Sequence, residues 1–285
     1  MSGKIESLDI DEIIDNTVLR YVGNTPLINI KTPQNISDKV EIYAKLEYFN
    51  PGGSVKDRPI LRMIKEAIKS GELTHDKAIL DSTSGNAGIA YSMIGAALGY
   101  EVDLVIPGNA SEERKRSIRA YGARIITTDP IKGYDEAIRK AHEMLEENPD
   151  KYYMPDQYAN KYNPIAHYET TGKEILEQTE GKVTHFVCGV GTGGTVMGVG
   201  RRLKEHNPDI KIYVIKPEDF PGIEGLKPMG SEYIKPKIYR EDFIEDQTFF
   251  ITSEEAKDTC CTLAKETGLF VGQSSGAFMK GALEL

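Results

Sequence analysis

Lys56 sits in Asn50-Pro51-Gly52-Gly53-Ser54-Val55-Lys56-Asp57-Arg58-Pro59, directly after a Gly-Gly turn and directly before an amphipathic run. Ile60, Met63, Ile64, Ala67 and Ile68 recur at helical spacing, which predicts a helix with one apolar face and Pro59 in its first turn. An amine between flexible backbone and a helix start is placed for covalent chemistry. Lysine forms Schiff bases with carbonyl compounds and with pyridoxal phosphate once it is partly neutral. A surface lysine at a helix start would fit the same ten residues, so the weight falls on other loops.

Gly189-Val190-Gly191-Thr192-Gly193-Gly194-Thr195 lies between an apolar strand pattern and a helix pattern. Its glycines let backbone N–H groups approach an anion, and the helix N-terminus adds partial positive charge, so the stretch reads as a phosphate cradle. Gly189, Gly191 and Gly194 also satisfy the GxGxxG spacing of a dinucleotide site. A ribose would want an acid at the end of the next strand, and Lys216-Pro217 stands there, which favours a phosphate monoester and leaves the dinucleotide open. Thr83-Ser84-Gly85-Asn86-Ala87-Gly88 offers hydroxyls, an amide and helix N-terminal N–H groups, a set that suits a carboxylate and equally suits a helix cap.

The elements that must carry these loops alternate. A Gly-Asn turn before a short strand is expected within 22–28, and strands at 40–46, 78–80, 101–106, 124–128, 152–154, 183–188, 211–215 and 269–271. Helices are expected at 87–98, from Ser111 to Gly122, at 134–147, 164–178 and 194–205, and at 253–267 with Ser253 as cap and Gly268 as stop. Such alternation predicts an α/β protein with two parallel-sheet domains covered by helices. Ligands in these sheets bind where loops converge at strand carboxyl ends, so loops 50–58, 82–88, 189–195 and 272–276 are expected to share a cleft. Pro217 to Tyr239 is the longest stretch without a period and a candidate mobile loop.

Composition narrows the classes. With 39% hydrophobic and 28% charged residues, the chain has the make-up of a globular protein. A net charge of −9 argues against nonspecific nucleic-acid binding, which needs a basic face. No stretch is apolar enough to span a bilayer, and Met1-Ser2-Gly3-Lys4-Ile5-Glu6 lacks a signal-peptide core, so a cytoplasmic protein is expected. Cys188, Cys260 and Cys261 show no CxxC spacing, and five scattered histidines form no ligand pattern, so no metal is expected.

Taken together, the four loops resemble the cysteine synthase and cystathionine β-synthase family of pyridoxal-phosphate enzymes, with the fold of the tryptophan synthase β-subunit (fold type II). The likeness runs from about Gly23 to about Gly276 and includes Asp156-Gln157-Tyr158-Ala159-Asn160 and Asn163-Pro164-Ile165-Ala166-His167-Tyr168. It implies a larger, phosphate-binding domain from residues 1–48 and 158–285 and a smaller, mobile domain at 49–157, with pyridoxal 5'-phosphate in the cleft between them. Lys56 would hold the cofactor as a Schiff base and Asn86 would bond its ring hydroxyl. Gly191, Thr192, Gly193, Gly194 and Thr195 would cradle its phosphate, and Ser274 would face its pyridine nitrogen. Thr83, Ser84, Asn86, Ala87 through its N–H, and Gln157 would bind the substrate carboxylate.

The implied reaction is β-replacement on an amino acid, foremost O-acetylserine plus sulfide giving cysteine and acetate. A cysteine-consuming, hydrogen-sulfide-producing lyase, or a cystathionine or lanthionine synthase, is the alternative, and Asp219, Glu224 and Glu232 in the loop after Pro217 would bear on it. Many relatives carry threonine where this chain has Ala87, and an acid where it has Lys216. A homodimer is implied. A serine acetyltransferase, which many relatives bind, leaves no mark in these residues. The end at Leu285, soon after Ser274, predicts a short closing helix or a truncated end. Outside this activity stand a catalytically weak homologue serving as a partner or ligand-sensing module and, on the glycine loop alone, a dinucleotide-binding oxidoreductase.

Overall fold

The computed structural model describes residues 9–31, 39–83, 85–219, 222–240 and 247–285. Its elements run α1 (Ile10–Asp15), β1 (Leu27–Asn29), β2 (Tyr43–Lys45), α2 (Asp57–Ser70), β3 (Ala78–Ser82), α3 (Asn86–Leu98), β4 (Val102–Pro107), α4 (Glu112–Ala120) and β5 (Arg124–Thr128). There follow α5 (Gly133–Glu147), β6 (Tyr152–Tyr153), α6 (Tyr162–Glu169), α7 (Thr171–Gln178), β7 (His185–Gly189), α8 (Gly194–His206), β8 (Lys211–Pro217), β9 (Gln247–Ile251), α9 (Ser253–Thr267) and α10 (Gln273–Leu283). The chain divides into two compact units. The first joins the chain up to Gly23 with Glu47–Asn163, and the second joins Asn24–Leu46 with Pro164–Leu285.

The first unit is built on a parallel sheet in the order β5-β4-β3-β6. Strand alternation sorts its side chains. Ile79, Leu104 and Ile106 pack with Ile60, Met63 and Ile64 of α2 and Ile94 and Leu98 of α3. Ala78, Leu80 and Val105 pack with Ala137 and Ala141 of α5 on the other face. Ile10 of α1 and Leu19 join the α2/α3 core, which is why the N-terminal stretch belongs to this unit, whereas the resemblance groups residues 1–48 with 158–285.

The second unit holds the parallel sheet β7-β8-β9 and an antiparallel pair, β1 with β2. Ile212 and Val214 of β8 pack with Ile175 of α7 and Val196, Val199 and Leu203 of α8. Ile215 and Ile251 pack with Ala256 of α9 and Ala277 of α10.

The α/β class with parallel sheets is as the alternation implies, and several elements differ in detail. The single helix expected over 164–178 is two. Thr170 interrupts it with φ −115° and ψ −77° while its hydroxyl bonds back to Ala166 O at 2.7 Å, a competition with the helix ladder that Ser and Thr favour. The cap of α9 is Thr252, not Ser253. Thr252 Oγ1 accepts the Glu255 N–H at 3.2 Å and the Glu255 carboxylate accepts the Thr252 N–H at 2.9 Å, a reciprocal capping box. Residues 269–271 form no strand: Leu269 points inward and Phe270 is 89% exposed, but β9, which periodicity had not revealed, pairs with β8 instead. Gly71, Gly99 and Gly268 end α2, α3 and α9 at positive φ.

Candidate functional site

In the first unit, the Lys56 loop is braced from beneath by buried charge. Arg58, 3% exposed, donates from Nε and Nη2 to the two Glu47 oxygens at 2.7 and 2.8 Å, a bidentate fork that fixes α2 to the turn at Glu47–Phe49. Asn50 Nδ2 donates to Glu47 O at 2.8 Å and to Glu47 Oε2 at 2.9 Å, and Asn50 Oδ1 accepts the Gly23 N–H at 2.8 Å. Between these anchors the Gly-Gly turn is closed by Asp57, whose Oδ2 accepts the Gly52 N–H at 2.5 Å. A Cβ on Gly52 would lie 2.5 Å from Asp57 Oδ1, so no side chain fits there, and Gly53 sits at φ +81°, which glycine adopts without strain.

Lys56 is the residue at which α2 begins. Its backbone is helical, its N–H donates to Ser54 Oγ at 3.2 Å, and its half-buried side chain takes no part in capping. The amine is thereby carried on backbone fixed from both sides. Asp57 is fully buried, and Oδ1 has no hydrogen-bond partner among the described residues. Burial pushes its carboxyl up to about 6, against the Gly52 N–H and the Arg58 charge, with Glu47 adding to the rise.

The loop after β3 leads into α3. Thr83 Oγ1 accepts the N–H groups of Gly85 and Gly88, both at 3.0 Å, and so fastens the loop to the first turn of the helix. Asn86 is exposed there, Ala87 is buried, and Ser84 lies outside the described residues. Gln157 is brought to the same strand end, with Nε2 donating to Ser82 O at 2.9 Å. Thr83, Asn86, Ala87 and Gln157, distant in sequence, thus share one corner of the first unit.

In the second unit, the turn from β7 to α8 is made by backbone. Gly193 precedes α8 at φ +87°, and a Cβ there would lie 2.7 Å from Tyr239 Cβ. A Cβ on Gly191 would lie 2.8 Å from Gly225 O. Thr192 Oγ1 accepts the Gly194 N–H at 3.3 Å, and Thr195 Oγ1 lies 3.3 Å from His167 Nε2, whose ring is buried and reaches Thr171 Oγ1 through Nδ1 at 3.0 Å. Ser274, in the first turn of α10, is near Gly225: its Oγ is 3.7 Å from where a Gly225 Cβ would be. The loop carrying Glu224 and Lys227 is tied in by Lys227 N–H to Val190 O at 2.8 Å. Between Pro217 and Gln247 there is no helix or strand among the described residues, and Asp219, Glu224 and Glu232 lie on this stretch. A loop whose glycines cannot accept side chains, at the N-terminus of a 13-residue helix and flanked by hydroxyls, fits a phosphate group.

Sequence assigns no role to Glu47 or Asp81, and none to Asp57, Arg58 or His167 beyond their place in the motifs. The signal existed for three of them: charges at 57 and 58 open a helix whose buried face is otherwise apolar, and Asp81 ends the apolar run Ala78-Ile79-Leu80.

The chain matches the family described as pyridoxal-phosphate dependent enzyme over residues 18–285. It is 51% identical over 272 residues to the cysteine synthase of Aquifex aeolicus, covering 94% of this chain and 83% of that protein. Among solved structures, a hydrogen sulfide-producing enzyme from Fusobacterium nucleatum is similar at a TM-score of 0.85 and 38% identity, covering 94% of this chain and 91% of that one. An O-acetylserine dependent cystathionine β-synthase from Helicobacter pylori is similar at 0.86 and 36% identity, covering 94% and 89%. With the match running through the Lys56 loop, the Thr83 loop and the glycine cradle alike, the chain belongs to the pyridoxal-phosphate dependent enzyme family.

Proposed function

We propose that this protein is a β-replacement enzyme that makes cysteine from O-acetylserine and sulfide. The observation that carries the reading is the 51% identity with the Aquifex aeolicus cysteine synthase across 94% of the chain. Lys56 would hold pyridoxal phosphate through Nζ, Gly191 to Thr195 would take its phosphate, Asn86 its ring hydroxyl, and Ser274 its ring nitrogen. The bound cofactor would supply an electron sink for the bond to the Cα proton. Thr83, Ser84, Asn86, the Ala87 N–H and Gln157 would hold the substrate carboxylate, which orients that proton toward the reacting amine. Lys56 Nζ, released from the cofactor, would accept the Cα proton as general base while acetate leaves the β-carbon. Ser274 would present a neutral hydroxyl to the ring nitrogen where a carboxylate would hold a proton, a choice that favours rapid departure of the β-substituent.

The likeness to the Fusobacterium nucleatum hydrogen sulfide-producing enzyme supports a second reading, in which cysteine is the substrate and sulfide the product. Both are tested on the cofactor-loaded protein. Borohydride reduction followed by peptide mass analysis is expected to leave the pyridoxyl group on Lys56, and its appearance elsewhere would sink the site assignment. Cysteine formation from O-acetylserine and sulfide, exceeding sulfide release from cysteine, is expected. The reverse ratio moves the assignment to the second reading.

A further inference from the structure

Every residue of β3 is buried, and alternation puts position 81 on the same face as Ile79, toward α3. An apolar side chain would continue the pattern. The chain instead places a carboxyl there, 3% exposed, and surrounds it with donors from three segments. Tyr91 of α3 donates its hydroxyl to Asp81 Oδ2 at 2.5 Å. The Ser82 N–H donates to Oδ1 at 2.7 Å, and the Gln157 N–H reaches Oδ2 at 3.4 Å. The carbonyl of Ser82 collects Gln157 Nε2 at 2.9 Å and the Tyr134 hydroxyl at 3.1 Å, and the Gln157 carbonyl accepts Asn163 Nδ2 at 2.8 Å.

A buried carboxyl group is costly unless its oxygens are hydrogen-bonded, so the donors around it are held as tightly as it is. What they hold matters. Tyr91 is five residues beyond Asn86 on the same helix, Ser82 precedes Thr83, and Gln157 is itself a member of the proposed carboxylate-binding set. We infer that Asp81 is a positioning residue that fixes the N-terminal end of α3 and the Gln157 turn at one spacing, so that both can hold a single substrate carboxylate. The inference rests on the β-replacement reading. Asp81 does not touch substrate and acts through Tyr91 and Gln157. Its chemistry also explains why the strand end is polar on a face where hydrophobes stand at 79, 104 and 106.

The test uses the holoenzyme and two variants, Asp81→Asn and Tyr91→Phe, singly and combined. An amide at position 81 keeps the volume but offers one acceptor oxygen where the carboxylate offers two. The readings are the dissociation constant for O-acetylserine or cysteine, whichever shifts the cofactor's visible band, with kcat, the position of the unliganded band and the melting temperature. Asp81→Asn is expected to weaken amino-acid binding about tenfold, the loss of one buried hydrogen bond, with kcat within about twofold and the unliganded band unmoved. Tyr91→Phe is expected to weaken it about threefold or more. The double variant should be no weaker than Asp81→Asn, because both remove the same contact. Unchanged affinity in either folded variant overturns the inference, as does an additive double variant. Should Asp81→Asn not fold, Tyr91→Phe decides alone, since it removes only a hydroxyl. A wild-type protein that binds neither amino acid overturns the functional reading as well; one that binds, with variants equal to it, overturns this inference only.

Discussion

The candidate regions of the two units are built from different materials. Around Lys56 and Thr83 the structure relies on buried charged and polar side chains: the Arg58 and Glu47 fork, Asn50, Asp57 and Asp81. Around Gly191 and Gly193 it relies on bare backbone, with threonine hydroxyls and a buried histidine at the margin. The contrast follows from what each would hold. An amine and a carboxylate-binding set need side chains at fixed angles, whereas a phosphate needs N–H groups in the open and nothing in front of them. The first region should therefore fail through lost charge partners and the second through added atoms.

The largest effect is expected from Arg58→Met. The side chain is 1% exposed and its fork neutralises Glu47, which is 16% exposed. Removing the cation leaves a mostly buried carboxylate with the Asn50 amide but no counter-charge, a loss of about 3 kcal/mol in unfolding free energy by denaturant titration. The double variant Glu47→Gln with Arg58→Met should recover much of it. No comparable loss should follow from any single polar-to-apolar change among Thr192, Thr195 and Ser274, and one that did would break the comparison.

Next comes a dependence on pH. Asp57 is raised from 3.8 to about 6 in the fold. Between these values the unfolded chain has released the proton and the folded chain retains it, so the folded state binds more protons and stability falls as pH rises from about 4 to about 6. The whole displacement is worth about 3 kcal/mol at most. Asp81, raised by burial to about 7, extends the fall toward neutrality. Asp57→Asn should flatten the stability profile between pH 4 and 6 relative to wild type, measured by urea midpoints. A profile of unchanged slope would mean that the carboxyl is ionised in the fold.

For the second region the sharper probe is a methyl group. Gly193→Ala forces a left-handed residue with a Cβ 2.7 Å from Tyr239 Cβ. It should weaken pyridoxal phosphate binding by roughly 30-fold, about 2 kcal/mol. Gly53→Ala is its counterpart in the first region: φ is +81° but no atom lies within 4 Å of the added Cβ. It should cost only the strain of the conformation, about 1 kcal/mol. Equal losses at the two positions would mean that the turn before α8 has room to spare.

The same contrast explains what could be read from sequence. Glycine spacing and the Lys56 motif are local, so the turn at 189–193, the helix after it and the loop before α2 were legible, as was the parallel α/β class from alternating periods. The brace was not. The partnership of Glu47 with Arg58 spans 11 residues across a turn, and that of Asp81 with Gln157 spans 76, and no periodicity reports which charges meet. The break at Thr170 was hidden because Thr-Thr-Gly is compatible with a helix, and only the back-bond to Ala166 and the packing of Gly172 against Arg202 decide it. Residues 269–271 misled in the opposite sense: the inward-outward alternation is real, but a strand also needs a partner, and the edge of β8 is taken by β9.

The smallest effect concerns a polar side chain in the second unit. Thr252 caps α9 reciprocally with Glu255, and Gln273 at the start of α10 donates through Nε2 to Ser253 O at 3.1 Å and Ser253 Oγ at 2.5 Å. The capping box thus lies one residue from the contact that seats the helix bearing Ser274. Thr252→Ala should lower stability by about 1 kcal/mol, the ordinary worth of an N-cap, in thermal or urea unfolding. Because Ser253 keeps its contacts with Gln273, and the cradle at 191–195 is made of backbone, pyridoxal phosphate affinity should stay within about twofold. A drop in affinity much larger than the drop in stability would show that Ser274 is held by the α9 cap, and would give the second region a side-chain dependence like that of the first.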